Sequence, residues 1–261
     1  MLLATALPAL TQGPPQSADC DRVRQKSGRV LVAAAASLQP ALQETTALYR
    51  SAFPRQEVSS SFAASGVLAR QIEQGAPVDL FLAAAEGPMD RLQRQGLLEP
   101  GSRRSLLTNQ LVLITPRSAP ATIRRFADLT QASVRRIAIG EPLTVPAGDY
   151  ARQTLRSLRL WERLQPKLLP LANVRAVLTA VELGNAEAGL VYRTDAQGSE
   201  RVQTVAIASP HLHTPIRYPL AVLRRSSDPQ AARCYADFLQ SPAAQIVFRR
   251  FGFGLVPVPS R

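Results

Sequence analysis

The junction at residues 30–38, VLVAAAASL, constrains this chain more than any other stretch. A run of small and branched apolar residues, the pattern of a buried strand, stops at Ser37. A helical pattern starts at once, with Leu38, Ala41, Leu42 and Thr45 on one face. Strands feeding straight into helices are the mark of a parallel α/β unit, because parallel neighbours need a crossover and the helix supplies it. The grammar repeats in EVSSSFAAS with GVLARQIEQG, VDLFLAAAE with MDRLQRQG, and RRIAIGEPLTVPAG with DYARQTLRSLRLWERL. In NVRAVLTAVELG with AEAGLVYRTDA the helix comes first. Gly75 and Gly96 close two of the helices, as residues that enter the left-handed conformation without a steric penalty. The reading is an α/β fold with a largely parallel sheet.

Two longer apolar strands interrupt the alternation, NQLVLITP (109–116) and IRYPLAVLRR (216–225). Two α/β units joined by two extended passages imply two lobes with a cleft between them. The expected division is a leader over 1–27, a discontinuous first lobe over 28–107 plus 216–261, and a second lobe over 108–215. Hinges are expected near 107–110 and 215–219, with one closing helix, PQAARCYADFLQSPAAQIVFRRFG, packed back on the first lobe.

The net charge of +12 is almost all arginine, since Lys26 and Lys167 are the only lysines. The arginines are scattered singly or in pairs without interleaved aromatics, which argues for a solvated surface and against a nucleic-acid site. No apolar stretch approaches the roughly 20 residues that span a bilayer. The start, MLLATALPALTQGPPQSADC, reads as a short secretory signal lacking a basic first segment, so the periplasm is the expected compartment. Asp19 stands where a lipoprotein signal wants a small residue, which disfavours lipid anchoring at Cys20. An exported protein can pair Cys20 with Cys234, whose spacing does not read as a metal site. His211 and His213, in SPHLHTP, read as a loop.

The helix starts carry the chemistry. Ser37 and Ser65 open two helices, Pro146-Ala147-Gly148 a third, and Asn173-Val174 a fourth. Any one of these alone is an ordinary helix start. In a parallel sheet, however, strand-to-helix turns share an edge, and several helix N-termini pointing at one place bind an anion through backbone N–H groups.

The runs AAASL (34–38), FAASGVLARQIEQGAPVDLFLAA (62–84), VPAGDYA (145–151), NVRAVLTAVELGNAEAGLVY (173–192) and YPLAV (218–222) together resemble the molybdate-binding periplasmic proteins of ABC importers. The resemblance extends from about Arg29 to Phe253. It implies a two-lobed, type II periplasmic-binding-protein fold that holds molybdate, and tungstate as well, between the lobes. Carried over residue by residue, it implies hydroxyl donors at Ser37, Ser65 and Tyr192. Backbone donors come from the serine positions, Ala147 and Val174. It implies contact with the metal only through the oxyanion's oxygens, no cofactor, a monomer, and an ABC permease as partner. The chain departs from the pattern at Ala64-Ser65-Gly66, where relatives often have consecutive serines, and at Glu141, where aspartate is common. A carrier of sulfate or another tetrahedral oxyanion is the alternative. An enzyme is disfavoured, since no G-x-S-x-G, Walker or dinucleotide glycine motif occurs and the serines lack an activating base. A DNA-binding regulator is disfavoured too, for want of a helix-turn-helix before the first strand.

Overall fold

The computed structural model describes residues 18–119 and 122–256. Two sheets organise it. The first contains β1 (Gly28–Ala35), β2 (Gln56–Ala63), β3 (Leu80–Leu82), β4 (Arg104–Thr108), β10 (Arg217–Val222) and β11 (Gly254–Leu255), in the order β11-β4-β10-β3-β1-β2. The second contains β5 (Leu111–Pro116), β6 (Ile137–Gly140), β7 (Leu168–Leu171), β8 (Ala188–Tyr192) and β9 (Val202–Ile207), in the order β7-β6-β8-β5-β9.

The sheets are mixed, which corrects the expectation of a largely parallel arrangement. β1 runs parallel to β2 and β3, and β6 parallel to β7 and β8. β10 is antiparallel to β3 and β4, and β5 to β8 and β9. The reason lies in the connections. β5 and β10 leave the junction between the sheets, whereas the strands beside them arrive at it. β4 and β10 run side by side there, with Thr108 opposite Arg217.

Helices α2 (Gln39–Ala52), α3 (Ser65–Glu73) and α4 (Glu86–Arg94) follow strands of the first sheet; α5 (Pro146–Ser157), α6 (Trp161–Leu164), α7 (Val174–Glu182) and α8 (Arg193–Gln197) belong with the second. Gly75 and Gly96 behind α3 and α4 take φ of +91° and +68°, as their role as helix stops requires. The closing segment forms two helices instead of one, α9 (Pro229–Phe238) and α10 (Pro242–Arg250). Pro242 has no N–H to continue the ladder, and Ser241 caps the new helix by accepting from Ala244 N–H. Both pack on the first sheet's side, α10 against α2 and α9 against β1 and β10.

Residues 18–27, assigned to the leader above, belong to the folded body; the rest of the leader, 1–17, lies outside the described residues. Helix α1 (Ala18–Gln25) packs on α9, and Cys20 is disulfide-bonded to Cys234 across a Cα–Cα distance of 5.5 Å. Gln56 donates from Nε2 to the carbonyls of Val23 and Lys26, tying the segment after α1 to the start of β2.

Candidate functional site

Strand ends of the first sheet and helix starts on both sides meet around a small, almost closed pocket. Ser37, Ser65 and Ala84 form its wall on one side, and Ala147, Val174 and Tyr192 on the other. All five residues singled out from the sequence therefore lie on one surface, although they come from β8 and the starts of four separate helical segments. Each is at most 5% exposed. Four small alanines at and just past the ends of β1 and β2 (Ala35, Ala36, Ala63 and Ala64) also line it and let a ligand approach the backbone.

The serines do not act as helix caps. Ser37 sits in a short 3-10 turn, residues 36–38, between β1 and α2, and its Oγ lies 3.1 Å from the Tyr218 hydroxyl. Ser65 is the first residue of α3, after Ala64 as N-cap, and its Oγ accepts from Ala84 N–H at 3.0 Å. A backbone N–H can only donate, so the Ser65 proton is left free to turn into the cavity. Asn173 does cap: its Oδ1 accepts from Ala176 N–H at 3.0 Å. Val174 then stands first in α7, and Ala147 second in α5, behind Pro146. First-turn N–H groups have no intrahelical acceptor, and those of Ser65, Ala147 and Val174 take none in a turn or cap among the described residues.

Tyr192 ends β8 and donates from its hydroxyl to the Ala84 carbonyl of the opposite side, at 3.3 Å. Burial pushes the phenols of Tyr192 and Tyr218 well above the ordinary tyrosine range, so both are neutral donors. A second bond across the cleft runs from Gly66 N–H to the Thr144 carbonyl at 3.0 Å. The structure is thus a closed one.

Among the described residues, no carboxylate lines the cavity. The nearest in sequence to Tyr192, Asp195, accepts from Tyr192 N–H at 3.3 Å and is 3% exposed. Burial pushes its carboxyl up to about 7, against the opposing pull of Arg175 and the Tyr192 N–H. The unfolded chain releases this proton near 3.8 while the folded protein keeps it to about 7. Stability contributed by Asp195 is therefore complete below the lower value, falls as pH rises between the two, and levels off above the upper one. Asp195→Asn keeps an acceptor for Tyr192 N–H and is expected to flatten that decline. Urea unfolding of both proteins between pH 4 and 8 measures it; parallel pH profiles would show that Asp195 does not titrate in this range.

Sequence reasoning missed Asn109, Tyr218, Thr194, Ala84 and Thr144 as parts of the site's surroundings. Only Tyr218 and Ala84 carried a signal, since they fall within the resembling runs YPLAV and FAASGVLARQIEQGAPVDLFLAA.

A family profile described as bacterial extracellular solute-binding protein matches residues 30–254. The molybdate-binding protein ModA of Escherichia coli is 37% identical over 87% of this chain and 89% of its own. ModA of Haemophilus influenzae is 36% identical over 87% of this chain and 90% of its own. Among solved structures, the periplasmic molybdate-binding protein of Azotobacter vinelandii superimposes with a TM-score of 0.79 at 22% identity, covering 87% of this chain and 100% of that one. Its likeness establishes the two-lobed periplasmic-binding fold.

Proposed function

The chain belongs to the bacterial extracellular solute-binding proteins, and we propose that it captures molybdate, and tungstate with it, for an ABC importer. The family's description as extracellular solute-binding supports reading the cleft as a binding site rather than a reaction centre. The lobes are assigned as 28–107 with 216–261, and 108–215. The protein acts as a monomer, exported to the periplasm. The disulfide between Cys20 and Cys234 supports the reading that Cys20 carries no lipid.

The observation that supports the reading is a buried pocket walled by donors, with no carboxylate among the described residues that line it. Molybdate is fully deprotonated at neutral pH, so each of its oxygens only accepts. Ser37 and Ser65 hydroxyls with the Ser65 N–H supply one side. Ala147 N–H, Val174 N–H and the Tyr192 hydroxyl supply the other, Tyr192 by turning its proton from the Ala84 carbonyl to the anion. Metal is reached only through these oxygens. Hydrogen phosphate brings a proton that no lining carboxylate accepts, a penalty of about 1–3 kcal/mol. Sulfate has no such proton and is rejected by size, through a cleft that closes fully only on the larger ion. Capture proceeds by binding to one lobe, hinge closure at the paired connectors, and delivery of the closed form to the permease.

Calorimetric titration of anion-free protein with molybdate, tungstate, sulfate and phosphate tests this. Tight one-to-one binding of the first two is expected, with Ser37→Ala and Ser65→Ala each weakening it by about 10- to 30-fold, as one charge-assisted hydrogen bond requires. Sulfate or phosphate binding as tightly would keep the fold and overturn the ligand.

A further inference from the structure

A hydroxyl can give or take a hydrogen bond, while an oxyanion without a proton only takes. The direction of each hydroxyl in the cavity wall therefore decides whether it attracts the ligand or repels it. For Ser65 the Ala84 N–H settles the direction. For Ser37 the direction is settled at the hinge. Asn109 lies between β4 and β5, and its Oδ1 accepts from Gln110 N–H at 2.9 Å. Since a backbone N–H cannot accept, this bond distinguishes the oxygen of the amide from its nitrogen. The nitrogen then donates twice, to Thr194 Oγ1 at 2.9 Å and to the Tyr218 hydroxyl at 3.1 Å. Tyr218 is 1% exposed, so its own proton needs a protein acceptor. Ser37 Oγ, at 3.1 Å, is the remaining hydroxyl partner among the described residues. Ser37 accepts it, and its own proton turns into the cavity.

We infer that Asn109 and Tyr218 are positioning residues that fix Ser37 as a hydrogen-bond donor and so set the preference of the cleft for fully deprotonated tetrahedral oxyanions. The inference rests on Ser37 being a ligand contact, as assigned above. Its polarity originates where the two sheets join: Asn109 stands between β4 and β5, Tyr218 near the start of β10, and Thr194 near the start of α8.

The test is a pair of double-mutant cycles read by calorimetry with molybdate and with inorganic phosphate. Asn109→Asp keeps the shape of the side chain and its bond to Gln110 but puts an oxygen where the nitrogen was. Tyr218 and Thr194 then donate to it, Ser37 must donate to Tyr218, and the ligand meets a lone pair. Molybdate affinity is expected to fall by about 100-fold, part of it from the added negative charge. In a Ser37→Ala background the relay is gone and only the charge remains, so the same substitution is expected to cost about tenfold or less. Tyr218→Phe preserves the ring and releases Ser37 to point either way. It is expected to weaken molybdate by about fivefold and to narrow the gap between molybdate and phosphate, with no more than about a twofold effect once Ser37 is alanine. Losses of equal size in both backgrounds, in both cycles, would overturn the relay while leaving the site assignment standing. Wild-type affinity for Ser37→Ala alone would overturn the assignment of Ser37 itself, and the relay with it. If Asn109→Asp does not fold, the Tyr218→Phe cycle decides.

Discussion

Gly66→Ala is expected to lower molybdate affinity by about a thousandfold, while leaving the ligand-free protein folded. A Cβ on Gly66 would stand 2.7 Å from the Thr144 carbonyl oxygen and 3.0 Å from Thr144 Cα, on the opposite side of the cleft. Thr144 has no freedom to retreat. Its N–H and that of Val145 both bond to the Glu141 carbonyl, and Val145 in turn packs against Gly140 so closely that a Cβ there would meet its side chain at 2.4 Å. The first turn of α5 is held as firmly, for a Cβ on Gly148 would lie 2.0 Å from the Gly140 carbonyl. An alanine at 66 is therefore excluded from the closed state and tolerated in an open one. Without closure the anion loses Ala147, Val174 and Tyr192 together. At about 1.5 kcal/mol or more for each hydrogen bond to a charged group, three such losses amount to the thousandfold expected. Calorimetry measures the affinity, and solution scattering with and without molybdate measures closure. An alanine variant that still contracts on adding molybdate would show that the loop at Thr144 yields.

Removing the disulfide is the other large effect. Cys20 and Cys234 are separated by 214 residues, so the cross-link closes nearly the whole chain into a loop. On the chain-entropy account a loop of that size stabilises the fold by about 5 kcal/mol, and the double substitution Cys20→Ser with Cys234→Ser is expected to lose most of it. Urea unfolding at pH 7 is the measurement. Molybdate affinity is expected to stay within about twofold, because neither α1 nor α9 lines the cavity and ligand binding tracks the donor set instead. A loss below about 1 kcal/mol would mean that the unfolded chain already keeps α1 beside α9 without the bond. Apart from the bond, α1 is also held to the turn between α2 and β2: Arg24 lies over the Phe53 ring at 5.0 Å, and Arg55 donates to the Gln25 carbonyl.

The α/β alternation was legible wherever a strand is buried on both faces, because such strands read as unbroken apolar runs. Of the edge strands, β2 was read in EVSSSFAAS, but β7, β9 and β11 were not. β7 is LLPL, half-exposed with a proline, and β9, at the far edge of the second sheet, buries only Val202. α1 was hidden by its position behind a leader-like segment. For the site, helix-start chemistry pointed to Ser37, Ser65, Ala147 and Val174. Tyr192 emerged only from the family resemblance, since a tyrosine at a strand end is ordinarily packing. What no local pattern holds is the orientation of the two serine hydroxyls. Their partners, Ala84 and Tyr218, stand 19 and 181 residues away. The breaking of the closing helix, by contrast, was written in Ser241-Pro242.

The cross-link between the chain's two ends also carries information about time. An exported chain emerges N-terminus first, and Cys20 crosses long before Cys234. Until the later cysteine arrives on the same side of the membrane, the earlier one has no partner, and every residue of both sheets except β11 emerges in between or alongside. The bond therefore cannot record a half-delivered chain. It acts as a seal on a finished one, formed only when nearly everything that must fold is already present.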